Sequence, residues 1–332
     1  MEAFFSIPIL SIFLVPVLSS YSTSLNLLFF YMTWTTLVLS HSRLRVELFG
    51  TIAVRTLFYV LPSILFFLFD ILTPSAAVLI KAQGSAGLPG GRRRRKIRAK
   101  ELKIAGWSLF NLCLGIAVQG LLESGLVTVL GKRSVLRVSL KLPMPFEICK
   151  GLTQALLGRE IMAYCLHRWV LHSRRQHYVA TWHRSWYHSL SAPFPLTAHY
   201  DHPVSYLFFK FIPTYAPAVV CRFHMLTYLL YLLLISVEET FAYSGYTVMP
   251  TKFFLGGIAR RTDMHLIMRP RGNFGPWGIL DWMFGTTVGD SSLENDGDSE
   301  AEERSRNTHE KKVRFPGVKY PGTTSSGKTK RR

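Results

Sequence analysis

Histidines are concentrated in one short stretch of this chain. Seven of the eleven histidines fall between residues 167 and 202: His167, His172, His177, His183, His188, His199 and His202. A lone histidine on an apolar face is usually a hydrogen-bonded core residue, but seven so close together need another explanation. Neutral imidazole is a good ligand for iron, zinc and copper. The stretch therefore predicts a metal site, with His224 and His265 as further histidines downstream.

The spacing of the histidines bears on how their rings would meet. His167 and His172 are five positions apart, and so are His183 and His188. In a regular α-helix, residues five apart lie about 140° apart around the axis, so they do not share one face. We therefore expect each pair to flank the site or to lie where a helix ends. The last two histidines of the stretch precede Pro203, which favours a turn there.

Long apolar runs separated by basic patches would position these histidines. Hydrophobic residues make up 48% of the 332 residues. A membrane-spanning helix needs about 20 mostly apolar residues, so the runs predict an integral membrane protein. The predicted spans are Phe4–Ser20, Leu25–Ser40, Thr51–Asp70, Trp107–Leu130 and Met225–Val237. Residues 203–220 are apolar but contain Lys210, Pro213 and Pro217, which predicts a broken helix or a re-entrant segment.

The chain is strongly basic, with a formal net charge of +19. Such a balance suits either nucleic acid or an anionic membrane surface. The basic residues lie beside apolar runs, which favours the membrane, and we predict no nucleic-acid partner. Residues 81–103 form a linker that becomes highly basic from Arg92 to Lys100, and the positive-inside rule predicts a cytosolic location for it.

The C-terminal part of the chain loses its apolar character. Residues 290–332 are first acidic and then basic, a composition typical of a disordered tail. Lys328 and Lys330 stand fifth and third from the end and resemble a dilysine retrieval signal. We therefore predict a multi-pass protein of the endoplasmic reticulum membrane with a cytosolic C-terminus.

Three segments resemble the sterol desaturase/fatty acid hydroxylase superfamily, in particular its fungal branch. Tyr164 to His172 reads YCLHRWVLH and is similar to the first histidine box of the family. Ser189 to Pro203 reads SLSAPFPLTAHYDHP and resembles the stretch after the second box, ending in an additional His-Pro. Gly272 to Gly289 reads GNFGPWGILDWMFGTTVG and resembles the segment after the last box.

The second and third boxes depart from the family pattern. Four positions where the resemblance places histidines hold other residues: Arg184, Tyr187, Thr262 and Leu266. His188 and His265 remain, and His183 lies one position before the expected one. His177 and His224 are the histidines that would compensate for the missing ligands.

The resemblance implies a membrane-bound, non-haem di-iron oxidoreductase that hydroxylates or desaturates a sterol or fatty acyl lipid. It implies two iron ions and electrons from cytochrome b5 or a reductase. The implied ligands are His167, His172, His183, His188, His199, His202 and His265. The expected fold is an all-α integral membrane protein, a transmembrane helix bundle with a cytosolic histidine-rich helical cap. The expected division is 1–80 as N-terminal membrane helices, 81–103 as linker, 104–289 as hydroxylase-like domain and 290–332 as tail.

Two other readings stay open at the level of sequence. The depleted boxes are compatible with a catalytically inactive relative that binds a lipid or a partner protein. The surviving histidines are also compatible with a single metal such as zinc, which needs only three or four ligands. Metal analysis distinguishes the three readings, because they require two irons, no metal or one zinc.

Overall fold

The computed structural model describes residues 21–89, 98–173, 175, 177–190, 192–251, 254–268 and 272–289. Within these ranges the chain is helical, with two isolated β-bridges and no β-strand. The prediction of an all-α membrane protein is therefore confirmed. The predicted span Phe4–Ser20, most of the basic linker run and the tail from residue 290 lie outside the described residues.

The described helices are numbered here in chain order. They are α1 Tyr21–Ser40, α2 Arg43–Leu72, α3 Pro74–Ile80, α4 Ala99–Val129, α5 Pro145–Cys165, α6 Tyr178–Trp186, α7 Pro203–Tyr206, α8 Ile212–Val220, α9 Met225–Ala242, α10 Phe254–Met268 and α11 Ile279–Met283. Short π-helical turns extend α5 through Leu166–Leu171 and join α7 to α8 through Leu207–Phe211.

Three of these helices, α2, α4 and α9, are long and apolar enough to cross a membrane. They contain the predicted spans Thr51–Asp70, Trp107–Leu130 (except for its last residue) and Met225–Val237. Helix α2 has 30 residues, and at 1.5 Å per residue it is about 45 Å long, which exceeds the hydrocarbon core of about 30 Å. Helix α1 contains the predicted apolar run Leu25–Ser40, which is shorter than the three spans.

Residues 203–220, for which the prolines predicted a broken helix or a re-entrant segment, are continuously helical with a π-helical turn in the middle. Pro203 stands in the first turn, where its missing N–H group costs nothing. Pro213 is the second residue after the π-helical turn. Pro217 lies inside α8. The π-helical turn between the two helices absorbs the change in hydrogen-bond register.

Helices α2, α5 and α9 run in the same direction, and α4 runs against them. Near the middle of the bundle, Arg55 of α2 pairs with Glu239 of α9 at 2.6 Å. Arg159 of α5 pairs with Glu238 of α9 through two hydrogen bonds of 3.0 and 2.7 Å. All four side chains are buried. Buried ion pairs need close, well-directed partners, so these contacts fix the relative heights of the three helices.

Candidate metal centre

Four histidine rings from three separate elements meet at one end of the bundle. Each of the four offers a ring nitrogen, and these nitrogens all lie within 4.8 Å of one another: His167, His172, His183 and His265. The first two lie on and directly after the π-helical turn that extends α5. The third lies on α6 and the fourth on α10. We call this group, with His188, the histidine cluster.

The π-helical turn explains why two histidines five positions apart share one face. The backbone N–H of His172 donates to the carbonyl of His167 at 2.9 Å, a bond between residues five apart. A π-helical turn holds more residues per turn than an α-helix, so residues five apart come into line. The Nε2 atoms of the two rings are 3.2 Å apart. His172 stands where this helix ends, as expected for a histidine pair at this spacing, and the π-helical turn brings the two rings together.

His188 joins the cluster from a short 3₁₀ turn after α6. Its Nε2 atom lies 3.2 Å from Nε2 of His172, and its ring centroid lies 4.9 Å from that of His265. Five of the seven predicted ligands are thus brought together.

Backbone and carboxylate oxygens hold three of these rings by their outer nitrogens. Nδ1 of His167 lies 2.9 Å from the carbonyl of Phe274, and Nδ1 of His265 lies 2.7 Å from the carbonyl of Gly272. A carbonyl oxygen only accepts, so each Nδ1 carries the proton and each Nε2 presents a lone pair. Nδ1 of His183 lies 2.5 Å from Oδ2 of Asp201. This outer contact is the one that metal-bound histidines almost always make.

The inward-facing nitrogens fit a metal ion. Nε2 of His183 and Nε2 of His265 are buried without a hydrogen-bond partner. Leaving such acceptors unpaired in the interior is costly, and a cation placed between these nitrogens would satisfy them. Neutral imidazoles anchored at Nδ1 supply the donors that iron or zinc takes.

The surroundings of the cluster keep three of its imidazoles neutral. Burial lowers the pKa of His265 to about 4, and burial together with neighbouring histidines lowers the pKa of His167 and of His172. Neutral imidazole is the form that binds a metal. These three rings are therefore in their ligand form at neutral pH without an energetic cost for removing a proton.

The segment 272–289 supplies the carbonyls that orient two of the rings. The Asp281 carboxylate accepts hydrogen bonds from the backbone N–H groups of Phe274, at 2.9 Å, and Gly275, at 2.7 Å. The Glu160 carboxylate accepts from the backbone of Trp277 at 2.8 Å and of Ile279 at 3.0 Å. Both carboxylates are buried, so this glycine-rich segment is held rigidly against α5.

Two predicted ligands lie outside the cluster. His199 packs edge-on against Tyr59, with ring centroids 4.7 Å apart, and its Nε2 lies 3.2 Å from Oε2 of Glu239. His202 stacks on Trp182 with centroids 4.2 Å apart, and its Nδ1 accepts from the backbone N–H of Val204 at the start of α7. The structure gives these two rings packing and capping contacts instead of a place among the donors.

Asp201, between those two histidines, is the residue of this loop that reaches the cluster. Sequence reasoning gives Asp201 no role in the site. The feature that could have indicated one is the presence of an acidic residue among clustered histidines, in His199-Tyr-Asp-His. The orienting carbonyls of Gly272 and Phe274 carry no comparable signal, because every residue has a carbonyl group. Of the two histidines that would compensate, His177 is exposed, and His224 lies at the other end of the bundle, 3.3 Å from Ser139 Oγ.

A small cavity of about 50 Å³ adjoins the cluster and is lined by His167 and His265. Two of the positions that lack the expected histidine, Tyr187 and Thr262, also line it. The hydroxyls of Tyr187 and Tyr243 lie 3.0 Å apart, and Lys210 Nζ donates to Tyr243 at 3.0 Å. The space suits one or two molecules the size of water or dioxygen.

Comparisons with known proteins show what this chain is similar to. Residues 152–286 match the family model described as fatty acid hydroxylase. A very-long-chain aldehyde decarbonylase from Oryza sativa subsp. indica is 28% identical over 240 residues, which cover 70% of this chain and 82% of the relative. A methylsterol monooxygenase from Arabidopsis thaliana is 29% identical over 160 residues, covering 46% of this chain and 58% of the relative. No solved structure matches the chain. The family match and these relatives support a place for this chain in the sterol desaturase/fatty acid hydroxylase superfamily.

Proposed function

We propose that this chain is a membrane-bound, non-haem iron oxidoreductase that hydroxylates or desaturates a sterol or fatty acyl lipid. The observation that carries the proposal is the convergence of five histidines, four of them buried and His172 partly buried, beside the end of a helix that can span a membrane. The family match and the relatives support a lipid-modifying oxidoreductase. The fungal branch of the superfamily is the one whose motifs the sequence resembles.

The residues of the chain have distinct roles in this proposal. The ligands of the iron would be His167, His172, His183, His188 and His265. Bound iron would supply the activation of dioxygen, with electrons from cytochrome b5 or a reductase. Asp201 and the carbonyls of Gly272 and Phe274 hold the protons of three ligands at Nδ1, which directs Nε2 inward. The small adjoining cavity provides space beside His167 and His265.

The contacts of the described histidines support one iron in preference to two. The resemblance implies two irons with seven histidine ligands, but His199 and His202 lie in other contacts. Five histidines supply a single iron and leave a position open for dioxygen, whereas a second iron would need donors that Tyr187 and Thr262 do not provide. We therefore propose one iron per chain, held by the histidine cluster.

Metal analysis of the purified protein tests this proposal. Detergent-purified protein should contain about one iron per chain by mass spectrometry of the metal, and His183→Ala should reduce the iron to background. His177→Ala removes an exposed histidine outside the cluster and should leave the iron content unchanged. Zinc in place of iron, or no metal in the wild-type protein, would contradict the assignment.

A lipid assay then tests the reaction. Microsomes that contain the protein, NADH and the cytochrome b5 system should convert a sterol or fatty acyl substrate to an oxidised product, and His167→Ala should abolish the conversion. We propose a location in the endoplasmic reticulum membrane, with the cluster, the linker 81–103 and the tail 290–332 on the cytosolic side. The unit 104–289 would be the hydroxylase-like domain.

The displacement of His199 and His202 favours one second candidate function. A relative that keeps the fold but has lost oxygen chemistry would bind a lipid or a partner enzyme. The two candidates differ in the lipid assay, because only the first requires product formation that depends on His167.

A further inference from the structure

A second pocket, of about 480 Å³, lies at the end of the bundle opposite the histidine cluster. It is formed where α2 begins at Arg43, by the loop 131–144 between α4 and α5, and by the turn before α9. Helix α5 starts beside this pocket and leads to the cluster, and its 21 residues correspond to about 30 Å. The two sites are therefore separated by roughly the thickness of a bilayer core. We call this site the basic pocket.

The basic pocket carries a concentrated positive charge. Five cationic side chains line it: Arg43, Arg133, Arg137, Lys141 and Arg222. Glu147 is the one carboxylate among the lining residues, and its Oε2 accepts a hydrogen bond from the backbone N–H of Met144 at 3.0 Å. In the part of the chain that the structure describes, no ion pair joins any of the five cations to a carboxylate.

Backbone bonds hold the cationic walls of this pocket in place. The N–H of Arg137 donates to the carbonyl of Phe223 at 2.8 Å, and the carbonyl of Arg137 accepts from Met225 at 2.9 Å. Across the same contact, Nε of Arg137 donates to the carbonyl of Arg222 at 2.9 Å. These bonds join the loop 131–144 to the turn before α9, so the pocket is built from two connected segments.

Arg222 has a strained backbone that the surrounding contacts maintain. Its φ is +47°, in the left-handed region that residues other than glycine rarely adopt. Such strain persists where neighbouring structure over-determines the conformation, and it is found preferentially at binding sites and other functional positions. The guanidinium of Arg222 also reaches the carbonyl of Ser134 across the pocket at 3.4 Å.

The floor of the basic pocket is apolar and buried. Leu136 and Leu142 line it and are each 1% exposed. His224 is also buried, and its Nδ1 accepts from the backbone N–H of Leu226 at 3.1 Å. The ring is therefore protonated at Nε2, toward Ser139 Oγ at 3.3 Å. A ligand here would meet cations at the rim and apolar groups beneath them.

We propose that the basic pocket binds a phosphate-bearing anion, and that the headgroup of an anionic phospholipid is its source. Guanidinium groups match phosphate oxygens in geometry and charge. The pocket lies where the spanning helices α2 and α9 begin and α4 ends, the level at which lipid headgroups stand. The apolar floor suits the glycerol and upper acyl carbons of such a lipid. This assignment is independent of the reaction at the histidine cluster.

Binding of short-chain lipids to the full-length protein tests this proposal. Detergent-purified protein would be titrated with dioctanoyl phosphatidic acid and with dioctanoyl phosphatidylcholine, and bound lipid counted by native mass spectrometry. The test variant is Arg43→Gln/Arg133→Gln/Lys141→Gln, whose three side chains are exposed. The matched control is Lys100→Gln/Lys103→Gln/Arg175→Gln, which removes three exposed cations elsewhere.

The wild-type protein should prefer phosphatidic acid, and the test variant should bind it at least about 10-fold more weakly, since each basic residue near an anionic lipid contributes to its attraction. The control should bind it as the wild type does. Equal weakening in both variants would show that general charge, not the pocket, attracts the lipid, and would overturn the proposal. No preference over phosphatidylcholine would overturn it as well.

Two further arms sharpen the assignment. Inorganic phosphate added as a competitor distinguishes the sources: release of the bound lipid shows that the pocket recognises phosphate alone, and retention shows that it requires the lipid. Arg222→Gly removes a cation while relieving the positive φ. It should weaken phosphatidic acid binding without lowering the unfolding temperature, whereas unchanged binding would contradict a role for this side chain.

Discussion

The two ends of the helix bundle carry clusters of polar side chains that differ in burial and in charge. At the histidine end the side chains are largely buried, and hydrogen bonds donated to backbone or carboxylate oxygens fix three of the rings. At the basic end five exposed cations line the basic pocket. In the described part of the chain, none of these five forms an ion pair with a carboxylate. A buried, preorganised set of lone pairs suits one small cation in a fixed geometry. An open set of charges suits a large anion that arrives with its own solvent shell.

The largest effect is expected from removing one partner of a buried ion pair in the middle of the bundle. Glu238→Ala leaves the guanidinium of Arg159 buried without a carboxylate and removes a hydrogen bond from Trp277 Nε1. We expect a loss of about 3–5 kcal/mol in the free energy of unfolding, because an uncompensated buried charge is costly. Thermal and denaturant unfolding in detergent measure it. A double variant, Arg159→Met/Glu238→Met, should recover most of the loss, and a single variant as stable as wild type would contradict the picture.

The second prediction concerns the orientation of a ligand. Asp201→Asn keeps the size of the side chain but weakens its contact with Nδ1 of His183. Outer-contact substitutions of this kind reduce metal affinity about 10- to 100-fold, and we expect that range for iron. Competition with a chelator measures the affinity. His202→Gln is the control, since that ring stacks on Trp182 outside the cluster, and equal effects of the two variants would show that the whole loop was disturbed.

A smaller effect is expected where a carboxylate positions a ligand through the backbone. Asp281→Asn keeps one oxygen that can accept from the N–H groups of Phe274 and Gly275. The other carboxylate oxygen is replaced by an uncharged amide nitrogen. The cost in unfolding free energy should be about 1.5 kcal/mol, the scale of one hydrogen bond to a charged group. Iron affinity should fall as well, because the carbonyl of Phe274 would hold His167 less firmly. Lower stability with unchanged affinity would confine Asp281 to a structural role.

The smallest effect on stability is expected at the basic pocket. Arg133→Ala removes an exposed cation of the basic pocket, and the unfolding free energy should change by less than about 0.5 kcal/mol. The same substitution should weaken phosphatidic acid binding measurably. A large loss of stability would mean that this charge supports the fold, as the buried pairs in the middle of the bundle do.

The parts of the molecule that sequence predicts are those set by local composition. The spans follow from hydropathy alone, so Thr51–Asp70 and Met225–Val237 lie inside observed helices. The candidate donors His167 and His265 follow from residue type. Which histidine faces the cluster depends on packing between distant segments, and this is why His199 could not be separated from its neighbours by sequence. Asp201 escaped assignment because its role depends on where the loop places its carboxylate.

The π-helical turn after α5 decides whether the two rings it carries can meet. The turn corresponds to one extra residue in an otherwise regular helix. In a regular α-helix, the five-residue spacing of His167 and His172 would place their rings about 140° apart around the axis. The donors would then part although no imidazole had been replaced. The winding of the backbone, as much as the identity of the residues, decides here whether an ion can be held.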